Sequence, residues 1–207
     1  RRGVAGLLAV AVMGALAGVW VMRARRGAEG PGTGLQRAVG TRLAVETAQV
    51  VGTQAQLVVV FLERGLSSAA DVQRAAFEKE LRRWPGIRVV RTDEVGGAPG
   101  SKHGPGHGLS ARRLRRLLEK HRDADALVSL IGLPDPEDFA EERKDRDSPR
   151  LVAISRSPKK LAPWLERGWL ERAIVPRFTF PAPGPEQPVT AEEWFQNRFQ
   201  VVSARDL

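Results

Sequence analysis

From residue 56 onward the apolar positions follow two rhythms. "LVVVFL" (57–62) is an unbroken β-branched and aromatic run, the pattern of a strand buried on both faces. "SSAADVQRAAFEKELRRW" (67–84) spaces Val72, Ala76, Phe77, Leu81 and Trp84 as one helical stripe. Ser67 or Ser68 caps it and Pro85-Gly86 stops it. "IRVVR" (87–91) reads as a second strand, "SARRLRRLLEKHR" (110–122) as a helix with Leu114, Leu117 and Leu118 inward, and "ALVSLIG" (126–132) as a third strand. The charged run 134–149 is either a short helix or a loop. "LVAIS" (151–155), "SPKKLAPWLERGW" (157–169) and "RAIVP" (172–176) give a fourth strand, a short helix and a fifth strand.

Strands alternate with helices and lack tight hairpin turns. The pattern predicts an α/β domain over 56–176: a single doubly wound, flavodoxin-like parallel sheet of five strands, order 2-1-3-4-5, with helices on both faces. Functional groups in such a sheet gather beyond the carboxyl ends of the strands.

The two ends of the chain read differently. "VAGLLAVAVMGALAGVWVM" (4–22) carries no charge over 19 residues, about 28 Å as a helix, enough to span a bilayer core. Trp20 stands near one end, as interfacial indoles do, and Gly14 with Gly18 forms a GxxxG that suits close helix contact. The reading is a transmembrane signal-anchor over 1–26. The alternative is a cleaved signal peptide ending at the small residues of "ALA" (15–17). An anchor of this kind usually leaves the following domain on the outer, periplasmic face. Residues 27–55 read as a linker or stalk, either a short amphipathic helix or loosely ordered chain. Residues 177–207 read as a proline-rich tail with a short helix that Thr190 and Glu193 begin. Its Trp194, Phe195 and Phe199 dock either on the domain or on a partner.

Composition changes the picture at two points. The formal charge is +9, but Arg1, Arg2, Arg23, Arg25 and Arg26 flank the apolar segment, and 28 Lys+Arg against 24 Asp+Glu remain beyond residue 26. The basic excess is therefore largely a membrane-flank property, and no nucleic-acid partner is implied. The chain has no cysteine, so disulfides and thiolate metal sites are excluded. The basic helix face (Arg112, Arg113, Arg115, Arg116, Lys120, Arg122) is a solvated surface or a contact for anionic headgroups or an acidic partner.

Three chemistries fail on spacing. "GGAPGSKHGPGHGLS" (96–110) is almost a phosphate-binding loop, but His103, Gly104 and Pro105 separate Lys102 from the helix. His103 and His107 are four apart, yet Gly104, Pro105 and Gly106 keep them off a helix, so no metal is called for. "AISRS" is not the Gly-x-Ser-x-Gly nucleophile elbow. The chain reads as non-enzymatic and without a cofactor.

Taken together, "LVVVFLERGLSSAADVQRAAFEKELRRWPGIRVVRTD", "LSARRLRRLLEKHRDADALVSLIGLP" and "PRLVAISRS" resemble one lobe of the type I periplasmic-binding-protein fold, over about residues 57–176. That family includes sugar-binding proteins of ABC transporters and effector domains of LacI-type regulators. The resemblance implies a ligand held between two lobes. This chain has the pattern of one lobe, so a closed cleft needs a partner or a second copy. The aromatic or Asn residues often found after the first strand are replaced by Glu63-Arg64-Gly65-Leu66.

Two functions follow as expectations. The first is a membrane-anchored, non-enzymatic interaction or accessory subunit of a cell-envelope complex, held in the lipid bilayer by residues 4–22, with a membrane-protein partner or as a homo-oligomer. The alternative is a solute-binding or sensory lobe for a small molecule. Its candidate ligand residues are Glu63, Arg64 and Ser67 after strand one, Asp93 after strand two, Asp135 after strand three, and Arg156 and Ser157 after strand four.

Overall fold

The structure is a computed structural model that describes residues 31–96, 109–139, 148–157, 160–177 and 190–206. The expected spanning segment 4–22 and most of the Gly/His loop lie outside the described residues. Among the described residues, no helix is long and apolar enough to cross a membrane.

The segment expected as a stalk is instead a 21-residue helix, α1 (Pro31–Val51). Ala38, Val39, Leu43, Ala44 and Ala48 are buried along it. Gly52 ends it at φ +85°, a left-handed conformation that glycine adopts without a Cβ penalty, and its amide donates to the Ala48 carbonyl. The Arg150 guanidinium donates to the Val50 carbonyl at the same end, where the helix dipole favours a cation. Small alanines dilute the apolar stripe in this helix, which is why the sequence alone leaves it open between helix and loose chain.

β1 (Ala55–Leu62) follows, then α2 (Ser68–Leu81), β2 (Ile87–Val95), α3 (Ala111–Lys120) and β3 (Ala126–Ser129). A 3-10 turn (Pro136–Asp138) stands where the charged run was expected as helix or loop. β4 (Arg150–Ile154), α4 (Ala162–Glu166) and β5 (Leu170–Pro176) complete the expected series. The tail then adds α5 (Ala191–Arg198) and a sixth strand, β6 (Phe199–Ser203).

The sheet order is β2-β1-β3-β4-β5-β6. The first five strands are parallel, in the expected order, and β6 pairs antiparallel with β5 from Arg172↔Ser203 to Pro176↔Phe199. The sixth strand corrects the five-strand expectation. "FQVVS" follows α5 directly, with no turn residue to separate strand from helix, so it reads as the helix's continuation.

The period of two sorts the core into two layers. Leu57, Val59 and Phe61 of β1 face α1, α2 and α5, where Leu43, Phe77 and Phe195 meet them. Val58 and Val60 face α3 and α4, against Leu114, Leu117 and Trp164. All five of these β1 residues are buried, as a strand covered on both faces requires. Phe139, Trp164 and Trp169 form an aromatic cluster on the second face, with centroids 4.9–5.3 Å apart.

Glu46 is fully buried on α1 between two guanidinium groups. Arg42 approaches it to 2.8 Å off the hydrogen-bond axis, and Arg172 of β5 bonds its other oxygen. An isolated carboxylate here would cost several kcal/mol, on the order expected for a buried ion, so the pair fixes where α1 lies across the sheet.

α1 and α2 pack closely enough that Gly40 lies on the Gln73 backbone carbonyl, beside a Gln36–Gln73 side-chain hydrogen bond. A methyl group at residue 40 would overlap that oxygen. Gly40→Ala gains about 1 kcal/mol of helix propensity and meets an overpacking penalty of roughly 1–3 kcal/mol, placed at the upper end because backbone cannot yield. Urea unfolding is expected to show a net loss of about 2 kcal/mol. An unchanged or raised stability would mean the two helices are not in contact there.

Candidate functional site

Parallel strands deliver the loops after β1, β3 and β4 to one edge of the sheet. The expected ligand residues divide there into free groups, paired groups and structural ones.

Glu63 and Arg64 are exposed immediately after β1. The Glu63 amide is tied to the Val95 carbonyl at 3.0 Å, and its carboxylate lies against Gly96, so the exits of β1 and β2 touch. Gly65 has φ +83° and donates its amide to Asp71 Oδ2 at 3.2 Å. Ser67 is the N-cap of α2: its hydroxyl accepts from the Ala70 amide at 3.4 Å. It positions the helix N-terminus and is not free for a ligand.

Asp93 does not stand in a loop after strand two. β2 continues to Val95, so Asp93 lies within the strand and faces α3. Arg113 Nε donates to its Oδ2 at 2.8 Å, and Arg113 Nη2 to the Glu94 carbonyl at 2.8 Å. The apolar run stops at Val90, and "RTDEV" extends the strand through polar residues because this is a sheet edge.

Asp135 is brought together with the loop after β4. Its Oδ1 accepts from the Glu137 amide at 3.4 Å, and its Oδ2 pairs with Lys160. The Lys160 amide donates to the Ser157 carbonyl at 3.2 Å. Ser155 and Ser157 are locked locally: the Ser155 hydroxyl donates to the Ser157 carbonyl and accepts from its amide, both at 3.3 Å. Arg156 is exposed between them. Lys160 is the residue sequence reasoning missed. It stands in "SPKK" ahead of α4, and the spacing alone does not say which lysine turns back to Asp135.

The expected tail contacts fall on the domain itself. Phe195 is buried and stacks on Phe199 with centroids 6.0 Å apart, beneath the Arg42 guanidinium at 5.6 Å. Phe195 belongs to the α1 face of the core, and the half-buried Phe199 packs against it. Trp194 is on the same helix, and its side chain lies outside the described residues.

The remaining edge is chemically mixed. Glu63 and Asp135 supply acceptors; Arg64, Arg156 and Lys160 supply donors. No group of three or more metal-ligating side chains occurs among the described residues. Among the described residues the Ser155 and Ser157 hydroxyls have no imidazole partner, since His121, the one histidine among them, stands at the far end of α3. Such a set can bind a polar molecule by alternating donors and acceptors.

Solved proteins share this architecture. The arabinose-binding protein AraP from Geobacillus stearothermophilus matches with a TM-score of 0.51 at 15% identity, over 68% of this chain and 45% of that one. GanP, a glucose-galactose binding protein from the same organism, gives 0.55 at 14% identity, over 83% and 61%. A sugar-binding protein of a sugar ABC transporter from Bacillus halodurans gives 0.56 at 13%, over 83% and 62%. The chain thus spans about half to three-fifths of their length. No family model matches the sequence, and no curated protein does. The likeness is one of fold: the described residues share the architecture of one lobe of these solved proteins.

The Asp135–Lys160 pair sets a pH range for the edge. The Lys160 hydrogen bond holds the Asp135 carboxyl below its usual range against an opposing desolvation, with the Glu137 amide and the Lys160 charge adding to it, and Asp135 in turn raises Lys160. A lowered carboxyl contributes above its ordinary pKa and loses that contribution as pH falls through the lowered value; the raised amine loses its share as pH rises through the raised value. Lys160→Met is expected to move Asp135 upward toward the ordinary Asp range in a carboxyl-detected NMR titration. No movement would separate the two side chains.

Proposed function

We propose that this domain is a non-enzymatic solute-binding or sensory lobe, and that its carboxyl-edge loops form one wall of a cleft for a small polyhydroxylated molecule. The observation that carries the reading is the joining of the loops after β3 and β4, through Asp135, Lys160 and Ser157, at the edge where a one-lobe fold of this type faces its ligand. Hydroxyl groups donate and accept at once, and the edge offers carboxylates and cations side by side. The solved proteins of this architecture bear names of sugar-binding proteins, which supports the ligand class.

The second wall comes from another lobe, in a partner or a second copy. Residues 4–22 tether the lobe to a membrane in this reading, with the domain on the outer face, so that it serves as a subunit of an envelope complex. The uncharged 19-residue run favours the tether. Alkaline carbonate washing of membranes should leave the full chain in the pellet; release into the wash would remove the tether and leave the lobe reading intact.

A thermal-shift and calorimetric panel of pentoses, hexoses and their acid derivatives tests the ligand. A solute at a hundredfold excess over its Kd adds about 2.7 kcal/mol, a rise of roughly 5–10 °C for a domain of this size. Asp135→Ala combined with Arg156→Ala should remove that rise without unfolding the chain. A folded protein that no member of the panel stabilises would overturn the reading.

A further inference from the structure

Among the described residues, β2 forms one edge of the sheet, with β1 as its sole strand neighbour. Its outer row of amides and carbonyls over residues 88–93 has no strand partner among the described residues. Val89 pairs with Leu57 and Arg91 with Val58, so Val90 stands at a bulge between them. Val89 and Val90 are 42% and 50% exposed, so neither α2 nor α3 covers the middle of the strand. Arg88 and Arg91 flank them, both exposed.

On the α3 face of this edge lies a groove of about 470 Å³. Arg91 and Asp93 form its strand wall; Arg112, Arg113, Arg116 and Lys120 stand on the helix wall. Asp93 is its one carboxylate among the described residues and is already paired with Arg113. Arg91, Arg112, Arg116 and Lys120 make no ion pair among the described residues. The opposite face of the same edge is neutralised: Arg74 lies between Glu78 at 2.9 Å and Glu94 at 2.5 Å. Among the described residues, unpaired charge is thus concentrated on one side of this edge strand.

We propose that this edge binds an extended acidic segment of a partner protein, which adds to the sheet as a strand beside β2. Main-chain hydrogen bonds to residues 88–93 supply attachment. Alternate carboxylates on one face of the added strand meet Arg91, Arg112, Arg116 and Lys120, and apolar side chains on its other face cover Val89, which shares the Leu57 side of the sheet. A second copy of this chain is disfavoured as occupant. Edge-to-edge pairing would bring Arg88 and Arg91 near their own counterparts, and flanking charges of one sign oppose such self-association. The proposal is independent of the solute-binding edge, which lies at the strand ends.

The test uses the full chain in neutral detergent and a fluorescein-labelled (Glu-Val)4 octapeptide. Anisotropy should show saturable binding at least tenfold tighter than for (Glu-Pro)4, which carries the same charge but lacks the alternate N–H groups and the strand conformation. Arg91→Glu with Arg116→Glu should weaken binding at least tenfold. The exposed Arg112→Glu alone should weaken it measurably while the circular dichroism spectrum stays unchanged. Hydrogen exchange of the 88–93 amides should slow when the peptide is bound. Equal affinity for the two octapeptides would reduce the edge to a charged surface and overturn the proposal. So would binding of tripolyphosphate or phosphatidylglycerol vesicles with no binding of (Glu-Val)4, or no binding of any probe.

Discussion

A parallel sheet whose central strands are apolar on both sides must be covered on both sides, and everything else in this domain follows from that. β1 has buried residues at Leu57 through Phe61, pointing alternately to the two faces. α3 and α4 cover one face with leucines and Trp164, and Trp169 between α4 and β5 adds to it. On the other, α2 reaches only the β1 side, and the layer is completed by α1 and α5. The packed core therefore takes in α1 and the tail, beyond the limits of the five-strand series.

That constraint also explains the polar groups buried with α1. A helix placed across several strands needs its position fixed. Glu46 does this by joining Arg42 of its own helix to Arg172 of β5. Removing either guanidinium would leave a buried carboxylate less compensated, so the three are best regarded as one unit. The close contact at Gly40 sets the distance to α2, and Arg42 also reaches Phe195 and Glu192, tying α5 to α1. The tail's aromatics are thus drawn into the core that α1 creates.

The elements legible in the sequence are those with a strong period: the continuous run of β1, the Phe77–Leu81 stripe of α2, the three leucines of α3. Their order and sheet topology follow by rule. α1 was less legible because Ala38, Ala44 and Ala48 bury little area each and the helix carries a buried Glu46. β6 was hidden because Phe199, which ends α5, also begins the strand. Of the candidate site, Glu63, Arg64, Asp135 and Arg156 stand at the strand ends as topology requires. Ser67 proved to be a cap, and Asp93 part of a strand. Lys160 joins the site through a tertiary contact 25 residues away in sequence, which no local pattern encodes. The clustering of cations beside β2 is likewise a product of pairing, since Arg91 and Arg116 belong to separate elements.

The central claim is that residues 31–51 form part of one cooperative lobe with the parallel sheet. Native-state hydrogen exchange measured by mass spectrometry addresses it directly. Amides of the buried stretch 38–48 should exchange as slowly as those of β1 and β3, through the same global opening. Rapid exchange across 38–48, with β1 and β3 still protected, would show a stalk outside the lobe and contradict the architecture described.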